Sequence, residues 1–513
     1  MRNSTLSNYS IIVIFISIFS FLVSVWQSIY IYDAHHWGLM AANASDFLNN
    51  KIPYKEIFIQ YGLFTTIIHS IFMKIGNESV ISIFFFTSFI YSISIYYFFS
   101  IVRNKFGDSL ALFAIICLIL IHPFVNHPWH NYLNFFFLIM SIFFLEKNKN
   151  IYSFISGIFF GLAVLTYEKL IIIFTFFLIS YAITNFNNKK NNKNLIFLLI
   201  GFAIPISLFF LYLNINQSYS YWIKYLSIGG IYLDDNYIFV ILNFIKNLFQ
   251  LSLEKFATEP YWAFFSMLLL LNIVFICFSI FKKKFLKQNE KYLIYISMIS
   301  ISSFSTAIHS LNSFRLATGS IFGIFILIYF LNKIINVDTK KIISISIILI
   351  LCLGINFKKS ENNKLFITPV SFEHYPNDKI KYFKNMRFKN DTWNHIIFFD
   401  EKINQIKSKC STVNFAINYT DNAYYYLLFS NVFKTFQIKP WIIKNDTADN
   451  LTMKLINPNL DTFLQKKIIN NEIIIVSNTT YKVPKNYSFI NLPYSYNNKN
   501  KRILIPKKCK KNI

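Results

Sequence analysis

From residue 11 to residue 31 the chain reads IIVIFISIFSFLVSVWQSIYI, with no charged side chain, and runs of this kind recur along its first two thirds. A helix needs about 20 apolar residues to cross the hydrocarbon of a bilayer, because no water is there to satisfy exposed backbone. That recurrence restricts the fold to a polytopic α-helical membrane protein. Spans fall near 11–31, 80–102, 109–123, 129–145, 151–166, 170–185, 194–214, 261–281, 291–309, 315–332 and 341–356, about eleven in all. The first lacks a small-residue cleavage site and is expected to stay as a signal anchor.

The loops between these spans alternate in charge. Those at 103–108, 146–150, 185–194, 281–291 and 332–341 are mostly lysine-rich, with KKNNK and KKKFLK as the clearest cases, which places them in the cytoplasm. The opposite set holds nearly all the histidines and most of the acids. The N-terminus is then cytoplasmic, and everything after 357 is extracytoplasmic. Two outward loops, 32–79 and 215–260, are long, and each contains an apolar stretch too short to cross, 62–75 and 237–251. These are expected to lie along the interface or re-enter; were one a true span, the downstream lysines would face the wrong side.

From 357 to 513 the chain turns polar. Helix patterns at 396–409, 421–430 and 461–470 alternate with strand patterns at 412–417 and 472–477, the rhythm of a small α/β domain. It has no Gly-rich phosphate loop and no nucleophile elbow, so acceptor recognition or packing against the outer loops is its expected role. Cys410 and Cys509 lie there and could pair in an oxidising compartment; Cys117, Cys277 and Cys352 lie in apolar runs and read as small core hydrophobes. The net charge of +26 does not imply a nucleic-acid partner. Its cations are almost all lysines, in a chain enriched in Lys, Asn, Ile and Phe together, a compositional bias, and the arginines are only Arg2, Arg103, Arg315, Arg387 and Arg502.

Chemistry-bearing residues gather at the outward ends of the spans. IYDAHHWG closes the first, with Asp33 and, three residues on, His36; if the helix runs on, both share one face. A carboxylate there can take a proton from a hydroxyl arriving at the membrane surface, or it is an ordinary interfacial acid beside Trp37 as a belt anchor. HPFVNHPWHNY supplies His122, His127, Trp129 and His130; TYEK supplies Glu168 and Lys169; Asp234, Asp235 and Glu259 follow; HSLNSFR supplies His309, Asn312 and Arg315. Groups of this kind on one side read as a shared cavity. Arg315 suits bidentate phosphate binding or snorkels as an interfacial cation. The histidines lack HExxH spacing and are interleaved with prolines, so no metal and no cofactor is expected.

After that acid come AANASDFLNNK and IPYKEIFIQYGLF, and this succession resembles the first outer loop of the glycosyltransferase-C (GT-C) superfamily, which includes protein O-mannosyltransferases and lipid A aminoarabinose transferases. The local likeness covers the first third, and the span topology with an external C-terminal domain extends it over the chain. The resemblance implies a GT-C-like transmembrane catalytic domain over 1–356, with outer loops 32–79 and 215–260, and an extracytoplasmic soluble α/β domain over 357–513. It implies sugar transfer from a polyprenyl-phosphate-linked donor to a glycan, lipid or protein acceptor at the outer face of the bacterial cytoplasmic (inner) membrane, with Asp33 as the base. Ala34 stands where the mannosyltransferases carry a second acid, which leaves the acceptor open. On this reading His36, Lys55, Glu56, Tyr61, His127, His130, Glu168, Lys169 and Arg315 contact substrate, and Asp33 supports attack with inversion.

Two other readings compete. An O-antigen ligase or polymerase also carries outer-face charges, but its large outer segment lies between spans, whereas here the largest follows the last. A polyprenyl-linked glycan transporter or flippase needs polar groups at mid-membrane depth and repeated halves; the span interiors here are almost free of charge.

Overall fold

The computed structural model describes residues 8–30, 33–59, 61–122, 125, 127–185, 189–231, 237–281, 288–308, 311, 313–334, 345–346, 380–420, 422–430, 432–435, 458–479, 482–493 and 501–510. The helices are α1 (Asn8–Ser28), α2 (His36–Leu48), α3 (Leu63–Ile75), α4 (Val80–Phe106), α5 (Asp108–Ile121), α6 (His130–Leu145), α7 (Asn150–Thr166), α8 (Ile171–Asn185), α9 (Lys189–Ile215), α10 (Tyr219–Ile231), α11 (Tyr237–Glu254), α12 (Tyr261–Phe281), α13 (Gln288–Ser303), α14 (Ser313–Ser320) and α15 (Gly323–Ile334). Among the described residues, Asn8–Ser28, Val80–Phe106, Lys193–Ile215 and Tyr261–Ser279 are long and apolar enough to cross a membrane, and seven shorter apolar helices accompany them. Large apolar side chains point outward from them, as at Phe15 (68% exposed) and Leu208 (60%), which suits lipid and not water.

The expected spans within the described residues correspond to helices, with two differences. The run 315–332 is two helices, α14 and α15, and 291–309 is α13 followed by a 3-10 turn at Phe304–Ala307. The expected span 341–356 lies outside the described residues except for 345–346.

The chain divides into two compact units. One comprises residues 1–25, 87–209 and 232–366; the other comprises 26–86, 210–231 and 367–513. Within the first, α6 packs on α7, α8 on α13, and α12 on α13 and α15. A close backbone approach joins α7 and α9. Gly157 and Gly161, spaced as GxxxG, face Gly201 and Pro205. A Cβ on Gly157 would lie 2.0 Å from the Leu198 carbonyl oxygen, and one on Gly201 would lie 2.0 Å from that of Phe154. Glycine lets the backbones meet, and dispersion between them replaces the hydrophobic drive that lipid cannot supply.

In the second unit, α2 packs on α3, and α3 buries a mixed face. Leu63, Ile68 and Met73 face inward together with Thr65, Thr66, His69 and Ser70, while Ile71 and Ile75 are 49% and 70% exposed. The same unit holds a five-stranded sheet of β1 (Phe415–Asn418), β2 (Lys434–Thr435), β3 (Ile473–Asn478), β4 (Tyr487–Asn491) and β5 (Lys501–Pro506), in the order β2-β1-β3-β5-β4. β1 runs parallel to β2 and β3; β5 is antiparallel to β3 and β4. Its core sets Ile417, Ile473, Ile475, Tyr487 and Leu504 against Leu464 of the helix Pro458–Ile469. Cys410, at the end of the helix Asn390–Lys409, is bonded to Cys509, just past β5.

Candidate active site

In the second unit α1 stops at Ser28, so Asp33 and His36 do not share a continuous helix. They meet through a turn. The Asp33 carboxylate opens α2: its Oδ1 accepts the backbone N–H groups of His35 and His36, both at 2.9 Å, and the Asp33 carbonyl accepts that of Gly38 at 3.0 Å. An acid at the start of a helix satisfies its orphan donors and its dipole. Oδ2 meets His36 Nδ1 at 3.2 Å. The carboxylate, with 19% of its side chain exposed, is thus held in one orientation and still reachable from solvent. Trp37 is fully buried, its ring 5.1 Å from that of Phe84, and so is not a belt residue.

Further along this loop, Glu56 folds back, with Oε2 accepting the Ile52 N–H at 2.7 Å. This closes a turn in which Tyr54 adopts a positive φ of 65°. Lys55 is half-buried and Tyr61 is buried. A pair that the sequence did not single out is Asp46 and Lys51, 2.9 Å apart with Asp46 almost fully buried. Lys51 Nζ also reaches Thr435 Oγ1 of β2 at 2.8 Å and its carbonyl at 3.3 Å.

In the first unit another group gathers around Tyr167, in the connection after α7. Its ring lies 4.6 Å from that of His130, at the start of α6. Trp129 lies edge-on to His130 at 6.0 Å and to His127 at 6.4 Å. Burial pushes the Tyr167 hydroxyl up to about 12, the Arg315 guanidinium opposes that rise, and the Glu168 carboxylate adds to it. Both charges therefore act at the same phenol. The Asn131 amide donates to Thr318 Oγ1 at 2.9 Å, and Thr318 Oγ1 donates to the Arg315 carbonyl at 3.1 Å. This ties the start of α6 to the turn of α14 that carries Arg315.

Glu168 is buried, an expensive place for a carboxylate unless a cation or donors lie near. Lys169 lies in the short turn Glu168–Leu170, its side chain outside the described residues. Tyrosine went unnoticed in TYEK because an unperturbed phenol carries no charge.

Other residues singled out in the sequence have structural duties. His122 Nε2 lies 2.5 Å from the Tyr132 hydroxyl, and its carbonyl accepts from Tyr91, linking the end of α5 to the start of α6 and to the middle of α4. Glu259 holds Lys255 at 3.1 Å, the Trp262 indole N–H at 2.8 Å and the Tyr261 hydroxyl, capping α12. Asp234, Asp235, His309 and Asn312 lie outside the described residues.

Residues 62–213 match the family model of dolichyl-phosphate-mannose-protein mannosyltransferase. The structure resembles the crystal structure of ArnT from Cupriavidus metallidurans bound to undecaprenyl phosphate, with a TM-score of 0.55 at 9% sequence identity over 98% of each chain. Against the apo crystal structure of ArnT from the same organism the TM-score is 0.48 at 10% identity, again over 98% of each chain. No curated protein sequence matches the chain.

The fold is that of a multi-pass membrane protein and resembles that of ArnT. Its helical segment 62–213 adds the matching family signature. Over that segment the chain is similar to membrane mannosyltransferases of this family.

Proposed function

We propose that the chain moves a sugar from a polyprenyl-phosphate-linked donor to a hydroxyl of a surface glycan, lipid or protein, at the outer face of the bacterial cytoplasmic membrane, with Asp33 as base. The observation that carries this reading is the Asp33 carboxylate, oriented by two backbone N–H groups and by His36 at the head of α2. A base fixed in this way needs no reorganisation when the acceptor arrives.

The acceptor oxygen bonds to the anomeric carbon as the bond from that carbon to the phosphate oxygen breaks. The acceptor proton passes to Asp33, and the electron pair leaves with the polyprenyl phosphate. Attack in line from the face opposite the phosphate inverts the anomeric centre. Negative charge grows on the leaving phosphate, so cations lower the barrier; Arg315, Lys55 and Lys169 take that role. His36 holds the base, and Glu56, Tyr61, His127, His130 and Glu168 contact the substrates. No metal takes part in this scheme.

The donor class is supported by the undecaprenyl phosphate held in the ArnT structure and by the prenyl-phosphate sugar named by the matching family. The bond between Cys410 and Cys509 supports an oxidising compartment for the tail. It fits an extracytoplasmic domain over 357–513, a transmembrane catalytic domain over 1–356 and a cytoplasmic N-terminus.

The test uses native membranes from cells lacking the chain, which retain the acceptor, supplemented with the purified protein and undecaprenyl-phosphate mannose; release of undecaprenyl phosphate is followed. Removing a general base costs about 10² to 10⁴ in rate, so Asp33→Asn should lose at least about 100-fold while still accumulating in the membrane. Near-normal turnover in that variant would remove Asp33 from the mechanism.

A further inference from the structure

The order β2-β1-β3 places a topological switch at β1. The chain leaves β1 through the helix Tyr424–Ser430 to reach β2 on one side, while the helix Pro458–Ile469 leads into β3 on the other. In open α/β sheets the crevice beyond such strand ends is where ligands are held. Here the segment after β1 meets the chain's own first outer loop. The Ala423 N–H donates to the Ala34 carbonyl at 2.8 Å. A Cβ on Gly38 would stand 3.1 Å from the Tyr424 nitrogen and 3.4 Å from the Ala423 carbonyl carbon and Cβ.

The segment is built as a rigid support. Asn418 Oδ1 accepts the Thr420 N–H at 2.9 Å and the Thr420 hydroxyl at 2.7 Å, and Asn418 Nδ2 donates to the Asn422 carbonyl at 2.8 Å. The Asn422 N–H donates to Thr420 Oγ1 at 3.2 Å, and Asn422 Oδ1 accepts the Tyr424 N–H at 3.1 Å. Asn418, Thr420, Asn422, Ala423 and Tyr424 are all buried. Such a network fixes the direction of one N–H, that of Ala423, and a satisfied buried network is stiff. The group it meets belongs to Ala34, one peptide from the Asp33 carboxylate and inside the turn that aims it.

We propose that the tail residues Asn418, Thr420, Asn422 and Ala423 are positioning residues for the Asp33 turn, so that the tail sets the geometry of the base through the Ala423–Ala34 hydrogen bond and the close approach at Gly38. This rests on the reading of Asp33 as the base. The Asp33 turn takes the place in the sheet crevice where a ligand would otherwise lie. The tail therefore acts on the rate of transfer and not on the affinity for the donor.

The experiment compares Gly38→Ala, Asn422→Ala, Asn422→Asp and Asp33→Asn in the full-length protein, by undecaprenyl phosphate release from undecaprenyl-phosphate mannose. Formation of the Cys410–Cys509 bond is required of every variant as a check of tail folding. Misplacement of a reacting group by about 1 Å can cost 100-fold, and the added Cβ forces a shift of tenths of an ångström, so Gly38→Ala should lower kcat by roughly 10-fold at unchanged donor KM. Asn422→Ala should do the same. Asn422→Asp, which keeps the oxygen that accepts from Tyr424, should restore most of the rate. Normal kcat in both Gly38→Ala and Asn422→Ala, with Asp33→Asn inactive, overturns the positioning role and leaves the base intact. An active Asp33→Asn overturns the base and this inference with it. A rise in donor KM at constant kcat also overturns it, since the tail would then act on binding.

Discussion

Replacing both Cys410 and Cys509 by alanine tests how much of the tail's stability is a property of the unfolded chain. The two residues are 99 positions apart. Closing a loop of about 100 residues removes enough conformational entropy from the unfolded chain to be worth about 4.7 kcal/mol, or roughly 3,000-fold in the equilibrium between folded and opened tail. The bond joins the end of the helix Asn390–Lys409 to the short helix Lys507–Lys510 after β5, so it clamps the sheet at both ends of its sequence. Hydrogen exchange of the β1, β3 and β5 amides in the full-length protein reads the opened population. The double variant should exchange there about 10³-fold faster, whereas amides of α6 and α7 should change little. Protection within tenfold of the parent in β1, β3 and β5 would refute the entropic argument. Thiol alkylation in a Cys277→Ser background adds the compartment: Cys410 and Cys509 should label together after reduction and not before.

Two further outcomes follow from the site and the tail. Arg315→Ala should weaken displacement of bound undecaprenyl phosphate by about 10- to 100-fold, since a charge-assisted hydrogen bond is worth about 1.5–3 kcal/mol; unchanged affinity would leave Arg315 as an interfacial cation. His395 is buried, with Nδ1 2.9 Å from the Pro493 carbonyl and Nε2 2.5 Å from the Tyr425 hydroxyl. Burial lowers its pKa from 6.5, the Pro493 bond opposes this, and Lys501 adds to the lowering. The unfolded chain then binds the proton more readily, so tail stability falls as pH drops through 6.5 towards the lower folded value. His395→Gln should flatten that dependence, and an unchanged pH profile in the variant would exclude His395 as its source.

Helices that meet lipid announce themselves, because a side chain facing hydrocarbon must be apolar whatever it packs against. Hence α1, α4, α9 and α12 could be placed from hydropathy alone, and the strand at β3 from its unbroken IIIV. The helix α2 could not: its AANAS residues are small because it is covered on many sides, and nothing in that string carries a helical period. The strands β4 and β5 were also missed, as TTYKVPKNYSF and NKNKRILIP read as polar loop until pairing supplies their partners. Asp33 and His36 were recognised together for the wrong geometric reason, a continuous helix, where a capping turn is what joins them. Lys51 escaped notice because a chain so rich in lysine gives each one little weight; its ion pair with Asp46 and its contact with Thr435, 384 positions later, mark it out.

Those long-range ties set a schedule for biosynthesis. Ala34 and Ala423, hydrogen-bonded in the finished protein, are separated by 389 positions in the chain (423 minus 34). Ribosomes add about 5–20 residues per second, so the loop that holds Ala34 emerges roughly 20 to 80 seconds before the segment after β1 that meets it. Through that interval Lys51, Gly38 and the Ala34 carbonyl wait without their neighbours from the tail. A nascent chain of this kind has reason to be guarded by a holding chaperone until its final third arrives.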